Sequence, residues 1–526
     1  MQRVRDLIIS FTKNHPLVLF YSVLALIGFF YFYHTILFSP PQSIHRWRQA
    51  DCLSITLNYY QHGMNMIKPE LHLMISDDMN SGYAACEAPL LYYFVALLYK
   101  IFGPHEYIYR IVNVLILFIG LGALFRISLR LLHNFVAAAF VPLLVFVSPV
   151  MAYYGNNFLT DSTALALVFI GWWQYFRYTE KGNYKMFAIA ILLFTLAGLL
   201  KVTMLINLAA LGCLGIAWHL RIRILRDHRP LFPGAMASFL PMMICLIVIA
   251  TWYLYAIYYN RLHHTSAFLT TVTPWWAVSK EFRKEITPMI MSNFPVYYSI
   301  FIRYFLLASL LVCIVFFRHI PKYLGILTAL LLVGGVVYIS LFYTQFIYHD
   351  YYLIVLFSAI AFLVLTAILA IKHKYPGFFG SWIFAVSLIV ILVFNVIHAR
   401  KEMHRRYFGS KRETPVFESL FTIRPYLKSI GIKPEDRVIT IPDNTYSYTL
   451  YLMNQPGYRI WKIDSTTPGW ICAMIDRSAR YLVVNDSTYL NKPELRDFTE
   501  NLVGHYQEVK IFRLSSCPLN DSLMKK

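Results

Sequence analysis

The sequence predicts a polytopic α-helical membrane protein of about eleven transmembrane helices, followed by a small extracytoplasmic α/β domain. Three observations carry this fold class. Hydrophobic residues make up 58% of the 526-residue chain and charged residues 14%, against about 45–50% and about 25% in soluble proteins. The mean hydropathy is +0.53. Apolar runs of about 20 residues, the length that crosses a bilayer as a helix, recur from Leu17 to His398.

The net charge of +20 arises from 47 Lys and Arg against 27 Asp and Glu. These cations cluster beside the apolar runs, and no basic stripe interleaved with exposed aromatics is visible. The charge therefore reads as an orientation signal and as affinity for anionic lipid or phosphate, and no nucleic-acid partner is expected.

The first run, Leu17 to Phe38, follows Arg3, Arg5 and Lys13 and lacks a small-residue cleavage site, which predicts an uncleaved first span. Further spans are expected near 107–132, 134–154, 158–178, 184–200, 202–219, 233–259, 296–317, 321–343, 350–371 and 377–398. Pro89 to Phe102, about 14 residues long, is too short to cross and is assigned to an interfacial helix on the outer surface. Counting it as a span would export Arg221, Arg223, Arg226 and Arg229. Leaving it out places nearly all Lys and Arg of the short loops inside, with Lys201 alone outside. Arg400, Lys401, Arg405, Arg406, Lys411 and Arg412 oppose this scheme, but long terminal domains translocate largely regardless of such charges. The expected organisation is a transmembrane region over 1–398, with a large first outer loop over 39–106, and a soluble domain over 399–526. The setting is the inner (plasma) membrane, with the functional face and the C-terminal domain extracytoplasmic.

Within that domain Val416 to Ser429 has helical spacing. Arg437 to Ile441 and Tyr481 to Val484 read as buried strands, and Glu508 to Leu514 alternates like an edge strand. The seven cysteines show no metal-site spacing. Cys213, Cys245 and Cys313 lie in apolar runs and read as buried hydrophobes. Cys52 with Cys86, and Cys472 with Cys517, are candidate disulfides in an oxidising compartment.

Ionisable groups near membrane depth are costly, so they are candidates for function. The richest string is His45-Arg46-Trp47-Arg48-Gln49-Ala50-Asp51. Asp51 suits proton abstraction from a hydroxyl, and Arg48 has the fork geometry that grips a phosphate. The same residues also suit an Arg48–Asp51 pair capping a helix over Asp51–Gln61. Glu87 precedes Pro89 and the aromatics Tyr92 and Tyr93; it either favours a helix N-terminus or faces the same outer cavity as Asp51. Asp161 enters an apolar run after the turn beginning at Ser148-Pro149, where it or Thr160 suits an N-cap. Lys201, without a partner in sequence, either snorkels or meets a phosphate. Tyr348-His349-Asp350-Tyr351-Tyr352 opens the tenth span, and an aromatic belt accounts for its tyrosines but not for His349 beside Asp350. With Arg110, these groups map to one membrane face in the expected topology.

No phosphate loop of the GxxxxGK[ST] form is present, which speaks against ATP-driven transport, and Asp-x-Asp, GxSxG and HExxH patterns are also missing from the sequence. No cofactor is expected, and a divalent metal has no supporting residue pattern.

In order, these strings resemble the type C glycosyltransferase superfamily, specifically the family 39 branch of protein O-mannosyltransferases and lipid A aminoarabinose transferases, in a bacterial subgroup. The match runs through Asp51, Ala88 to Tyr93, Arg110, the turn from Ser148 to Asp161, Gly198 to Lys201, and Tyr348 to Tyr352. The resemblance implies inverting transfer of a sugar from a polyprenyl-phosphate donor to a hydroxyl of a glycan, lipid or protein acceptor at the outer face. Asp51 would be the general base, with Asp161 and Glu87 as further catalytic candidates. Arg48, Arg110, Lys201, His349 and Tyr351 would bind the donor phosphate, and His45, Gln49, Tyr92 and Asp350 would line the cavity or meet the acceptor. The chain departs from the family where Glu87-Ala88 replaces a cation before Pro89-Leu90, and where Asp51-Cys52 replaces an Asp-Glu pair. A lipid-linked-sugar transporter or flippase is the alternative, and a phosphoryl or acyl transferase on the same lipid a further one.

Overall fold

A computed structural model describes residues 14–222, 225, 230–268, 272–409 and 415–517. Arg3, Arg5, Lys13, Arg223, Arg226, Arg229, Lys411 and Arg412, used above as topology signals, lie outside the described residues.

Among the described residues six helices are both long and apolar enough to cross a membrane: Glu106–Leu132, Val202–His219, Ala235–Leu262, Lys322–Leu341, Asp350–Lys374 and Trp382–Tyr407. A further pair, Lys280–Tyr297 with Ile300–Val315, meets the criterion together but bends by 98°. Pro16–Phe30, Phe135–Phe146 and Tyr184–Leu200 are apolar but shorter, and Asp161–Lys181 carries charges at both ends. The polytopic helical class stands.

Local chemistry sets where these helices begin and stop. Pro16 opens the first helix at a position whose N–H would have no partner anyway. That helix ends at Phe30 and not at Phe38, because Phe32 takes a left-handed conformation (φ 64°) before a short turn at Tyr33–Ile36. The segment 134–154 is two helices. Asn134 caps the first by accepting from the Ala137 N–H at 3.0 Å. Pro149, which has no N–H to donate, restarts the chain as Pro149–Tyr154. The last span overruns its predicted end at His398 and carries Arg400, Lys401 and Arg405 on the same helix.

The chain forms two compact units, one comprising residues 1–38, 109–252 and 271–405, the other 39–108, 253–270 and 406–526. In the second unit residues 39–108 fold with the C-terminal residues. Helix Arg46–Gln61 packs against Leu90–Phe102. Beside them stands a five-stranded sheet in the order β2-β1-β3-β5-β4, made of β1 (Arg437–Ile441), β2 (Gly457–Arg459), β3 (Ala479–Val484), β4 (Leu502–Tyr506) and β5 (Val509–Arg513). β1 runs parallel to β2 and β3, and β5 antiparallel to β3 and β4. The alternating run at Glu508 to Leu514 is thus an inner strand and not the predicted edge, since β4, a short strand unmarked in the sequence, pairs outside it. The predicted helix over Val416–Ser429 is a 3₁₀ turn, Pro415–Phe421, then a short α-helix, Arg424–Ser429.

The β2 edge is closed by the segment 72–74. Met74 N–H donates to Gly457 O at 2.8 Å, and Gly457 N–H donates to His72 O at 3.0 Å. Gly457 is required there, because a Cβ would fall 1.9 Å from the Val438 carbonyl oxygen. The core beneath includes Ile439, Ile441, Leu482, Val484 and Phe512, with Met74 contributed by that segment. His72 is fully enclosed, bonded to Ser54 Oγ at 2.7 Å and Asn454 Oδ1 at 3.2 Å, and its burial pushes the imidazole pKa down to about 3.

Cys472 and Cys517 form a disulfide with Cα atoms 5.1 Å apart, while Cys52 and Cys86 are not disulfide-bonded. Cys213 is exposed on its helix and is no core residue. The bridge closes a loop of sequence separation 45 around β3, β4 and β5. Replacing both cysteines with serine should destabilise the sheet by about 2–4 kcal/mol. Thermal melting of the protein in detergent checks this, and an unshifted midpoint would contradict it.

Candidate functional site

The predicted site residues fall into two clusters, one in each unit. In the second unit, His45 occupies the position before helix Arg46–Gln61 with a left-handed backbone (φ 56°), and its ring meets Trp47 edge-on at 6.1 Å. The Gln49 amide donates to Gln42 O at 2.9 Å and Ile44 O at 3.1 Å, fixing the chain's entry. The helix therefore starts five residues earlier than an Asp51 cap would require, and Asp51 lies inside it. Arg48, Asp51 and Cys52 share a face at helical spacing.

Arg48 does not pair with Asp51. Its guanidinium takes Glu87, with Nη2 to Oε1 at 2.5 Å, and lies 5.4 Å from the Phe268 ring centre. The Tyr92 hydroxyl also donates to Glu87 and stands 3.4 Å from Cys52 Sγ. Glu87 Oε1 is therefore shared by a cation and a phenol.

Asp51 is fully buried. Among the described residues neither carboxylate oxygen completes a hydrogen bond, and the nearby Ser447 hydroxyl favours the charged form without reaching that geometry. Burial pushes the Asp51 carboxyl up to about 7; Arg48 and Ser447 pull against this, while Glu87 and Asp443 add to it. The neighbouring Cys52 thiol is raised to about 12, chiefly by burial, so it is held as the thiol.

Ser447 and Asp443 escaped the sequence reading. Asp443 accepts from Thr445 N and Oγ1 at 2.7 and 2.6 Å, and from Thr449 N and Oγ1 at 3.2 and 2.5 Å, which shapes the loop carrying Ser447. Asp-x-Thr is a recognisable turn pattern. Nothing in it points to a helix some 400 residues earlier in the chain. Tyr448, next in the chain, donates to Pro41 O at 2.9 Å and lies 4.9 Å beneath the Arg46 guanidinium.

In the first unit, Asp161 is the first residue of helix Asp161–Lys181, and Thr160, at the cap position, makes no side-chain cap bond. Lys201 ends helix Tyr184–Leu200. Its ammonium is 2.8 Å from Asp161 Oδ1 and 5.2 Å from the ring centres of both Tyr351 and Tyr352. Lys201 thus has the partner that sequence could not supply. His349 stacks on Tyr352 at 5.6 Å and meets Tyr351 at 5.3 Å, while Asp350 accepts from the Tyr154 hydroxyl at 2.5 Å.

Arg110 is fully buried, donates to Asn156 O at 2.5 Å and covers the Phe158 ring at 4.1 Å. One turn later Asn113, unmarked in the sequence, donates to Asn157 O at 2.7 Å and Leu159 O at 3.1 Å. Together they brace the turn that leads into Asp161. Among the described residues no three His, Cys, Asp or Glu side chains gather as a metal site.

Comparison with known proteins agrees with this architecture. The family model for dolichyl-phosphate-mannose-protein mannosyltransferase matches residues 86–244. The crystal structure of ArnT from Cupriavidus metallidurans bound to undecaprenyl phosphate superposes with a TM-score of 0.54 at 13% identity, covering 94% of this chain and 97% of that one. The same protein in the apo state gives 0.54 at 12%, covering 95% and 98%. No curated protein matches the chain in sequence. The chain has the type C glycosyltransferase fold, in keeping with the resemblance found in its sequence.

The raised Asp51 pKa has a stability consequence. A carboxyl with a folded pKa of about 7 and an ordinary value of 3.8 holds its proton longer when folded, so stability falls as pH rises through that interval, by on the order of 4 kcal/mol. Asp51→Asn should therefore melt above wild type at pH 8 and lose the advantage near pH 4. Equal melting differences at the two pH values would contradict the assignment.

Proposed function

We propose that the protein is an integral membrane glycosyltransferase that moves a sugar from a polyprenyl-phosphate donor to an acceptor hydroxyl at the extracytoplasmic face of the inner membrane. The observation that carries this reading is Asp51. A general base works best with a pKa near the operating pH, and this carboxylate is buried and raised to about 7, while the direct ion pair of the neighbouring arginine goes to Glu87. The fold shared with an ArnT that binds undecaprenyl phosphate supports a lipid-linked donor.

In the proposed step Asp51 takes the proton of the acceptor hydroxyl while its oxygen attacks the anomeric carbon. The carbon–oxygen bond to phosphate breaks, and polyprenyl phosphate leaves as the anion. Attack opposite the leaving group inverts the configuration, and no metal is required to balance the step. The departing phosphate gains negative charge, which a preorganised cation stabilises. The sequence resemblance makes Lys201 the candidate for that cation; within its own unit Asp161 holds the ammonium, and Tyr351 lies under it with His349 against that ring. Glu87 holds the Arg48 guanidinium in an ion pair of its own, with Tyr92 donating to the same carboxylate. Arg110 supports the turn before Asp161, and Asp350 anchors Tyr154. His45 and Gln49 set the start of the Asp51 helix.

Asp51→Asn should lower transfer by about 10²–10⁴-fold without loss of folded protein, measured with purified enzyme and a labelled polyprenyl-phosphate sugar. Wild-type kcat/KM should rise with pH through about 7, because the base must be ionised. Near-normal turnover in the variant would remove Asp51 from the mechanism. Lys201→Met should raise the donor KM about tenfold with the acceptor KM unchanged; equal losses for both substrates would refute a phosphate role.

A further inference from the structure

The second unit contains a cleft that the proposed chemistry leaves unused. It has a volume of about 340 Å³ and is flanked by Trp461 and Trp470, which are 56% and 55% exposed. Large apolar rings left in the open on a polar domain carry a solvation cost, and they commonly mark a binding surface. The cleft is not apolar throughout. Arg459, Lys462, Asp464 and Thr466 also line it, and Lys462 Nζ lies 4.9 Å from the Trp461 ring centre. Asp464 Oδ1 accepts from Thr466 N at 2.9 Å and Oγ1 at 2.6 Å, so the carboxylate is fixed in place and kept below its usual pKa by those bonds.

We infer that this cleft binds a saccharide chain, and that the acceptor of the transfer is therefore a glycan. A sugar ring has one face of C–H bonds, which rests on an aromatic plane, and an edge of hydroxyls, which needs donors and acceptors in fixed positions. Two exposed indoles with a guanidinium, an ammonium, a carboxylate and a hydroxyl between them meet both demands. The volume lies at the small end of the roughly 300–1,000 Å³ of ligand pockets, which suits a short segment of a longer chain crossing an open groove. Two cations against one carboxylate favour a glycan with acidic substituents. A bilayer contact would instead call for aromatics on a convex face, whereas these line a concavity.

The cleft is tied to the Asp51 surroundings within the same unit. Asp443 N–H donates to Ile460 O at 2.9 Å, and Ile460 N–H donates to Thr440 O at 3.0 Å. The segment bearing Trp461 is thus bonded to the loop whose Asp443 and Ser447 set the Asp51 environment. Calling the bound chain the acceptor rests on the glycosyltransferase reading; the binding of saccharide does not.

The test uses the full-length protein in detergent, applied to an array of neutral and acidic bacterial surface oligosaccharides. Wild type should bind a subset enriched in acidic chains. Trp461→Ala and Trp470→Ala should each weaken that binding about tenfold, and Trp470→Phe should retain most of it. No glycan held above the empty-micelle background, or unchanged binding in the double alanine variant, overturns the inference. In vesicles containing brominated lipids, quenching of wild-type fluorescence that disappears in the double variant would show the pair embedded in the bilayer and likewise overturn it. With an array-binding oligosaccharide as acceptor, Trp461→Ala should raise the acceptor KM about tenfold and keep kcat within about twofold. Transfer that proceeds with no dependence on either tryptophan defeats the inference and leaves the enzyme reading intact. Glycan binding without any transfer defeats the enzyme reading alone.

Discussion

Glu87 takes the guanidinium of Arg48, and the chemistry of the second unit depends on that choice. Arg48 and Asp51 lie one helical turn apart, where an ion pair would ordinarily form and hold the aspartate well below neutrality. Glu87 reaches the guanidinium first, with Tyr92 donating to the same carboxylate. Asp51 keeps only a longer-range share of the arginine's field, and burial then dominates its proton affinity. The family pattern that the sequence resembles has a cation just before the interfacial helix, where this chain has Glu87-Ala88. At that position the carboxylate takes the direct ion pair of Arg48 and adds to the rise of Asp51, whose largest cause is burial.

The first unit uses the opposite arrangement. Lys201 and Asp161 meet directly, both largely enclosed, under the rings of Tyr351 and Tyr352. A charge at membrane depth is costly without a partner, and Asp161 supplies one to Lys201. The turn from Asn156 to Thr160 leads directly into Asp161. Arg110 and Asn113, one helical turn apart on Glu106–Leu132, bind its carbonyls at Asn156, Asn157 and Leu159. Arg110 thus acts as a brace, as polar side chains in helical membrane proteins do where backbone departs from helix.

The second unit also shows why its soluble-looking C-terminal part is not independent of residues 39–108. The short β2 strand would be an open edge, and residues 72–74 cover it through backbone hydrogen bonds to Gly457. Met74 enters the sheet core, and Ser447 and Asp443 come from the loop after β1 to surround Asp51. Loop and sheet therefore build one electrostatic environment from two distant stretches of chain.

The sequence by itself determined the membrane class, the strands at Arg437–Ile441 and Tyr481–Val484, and the short apolar helix ending at Phe102. Those features rest on periodicity, run length and charge asymmetry, which are local. It also picked out Asp51, Glu87, Lys201 and His349 as costly groups in unusual places, since that cost depends on residue type and surroundings along the chain. The pairings belonged to the tertiary structure: Arg48 with Glu87 and not Asp51, Lys201 with Asp161, and Cys472 with Cys517 and not Cys52 with Cys86. Ser447, Asp443 and Asn113 had no sequence signal tying them to the site. A side chain's proton affinity and its hydrogen-bond partner depend on which remote segments exclude water from it, and that is fixed only when the chain has packed.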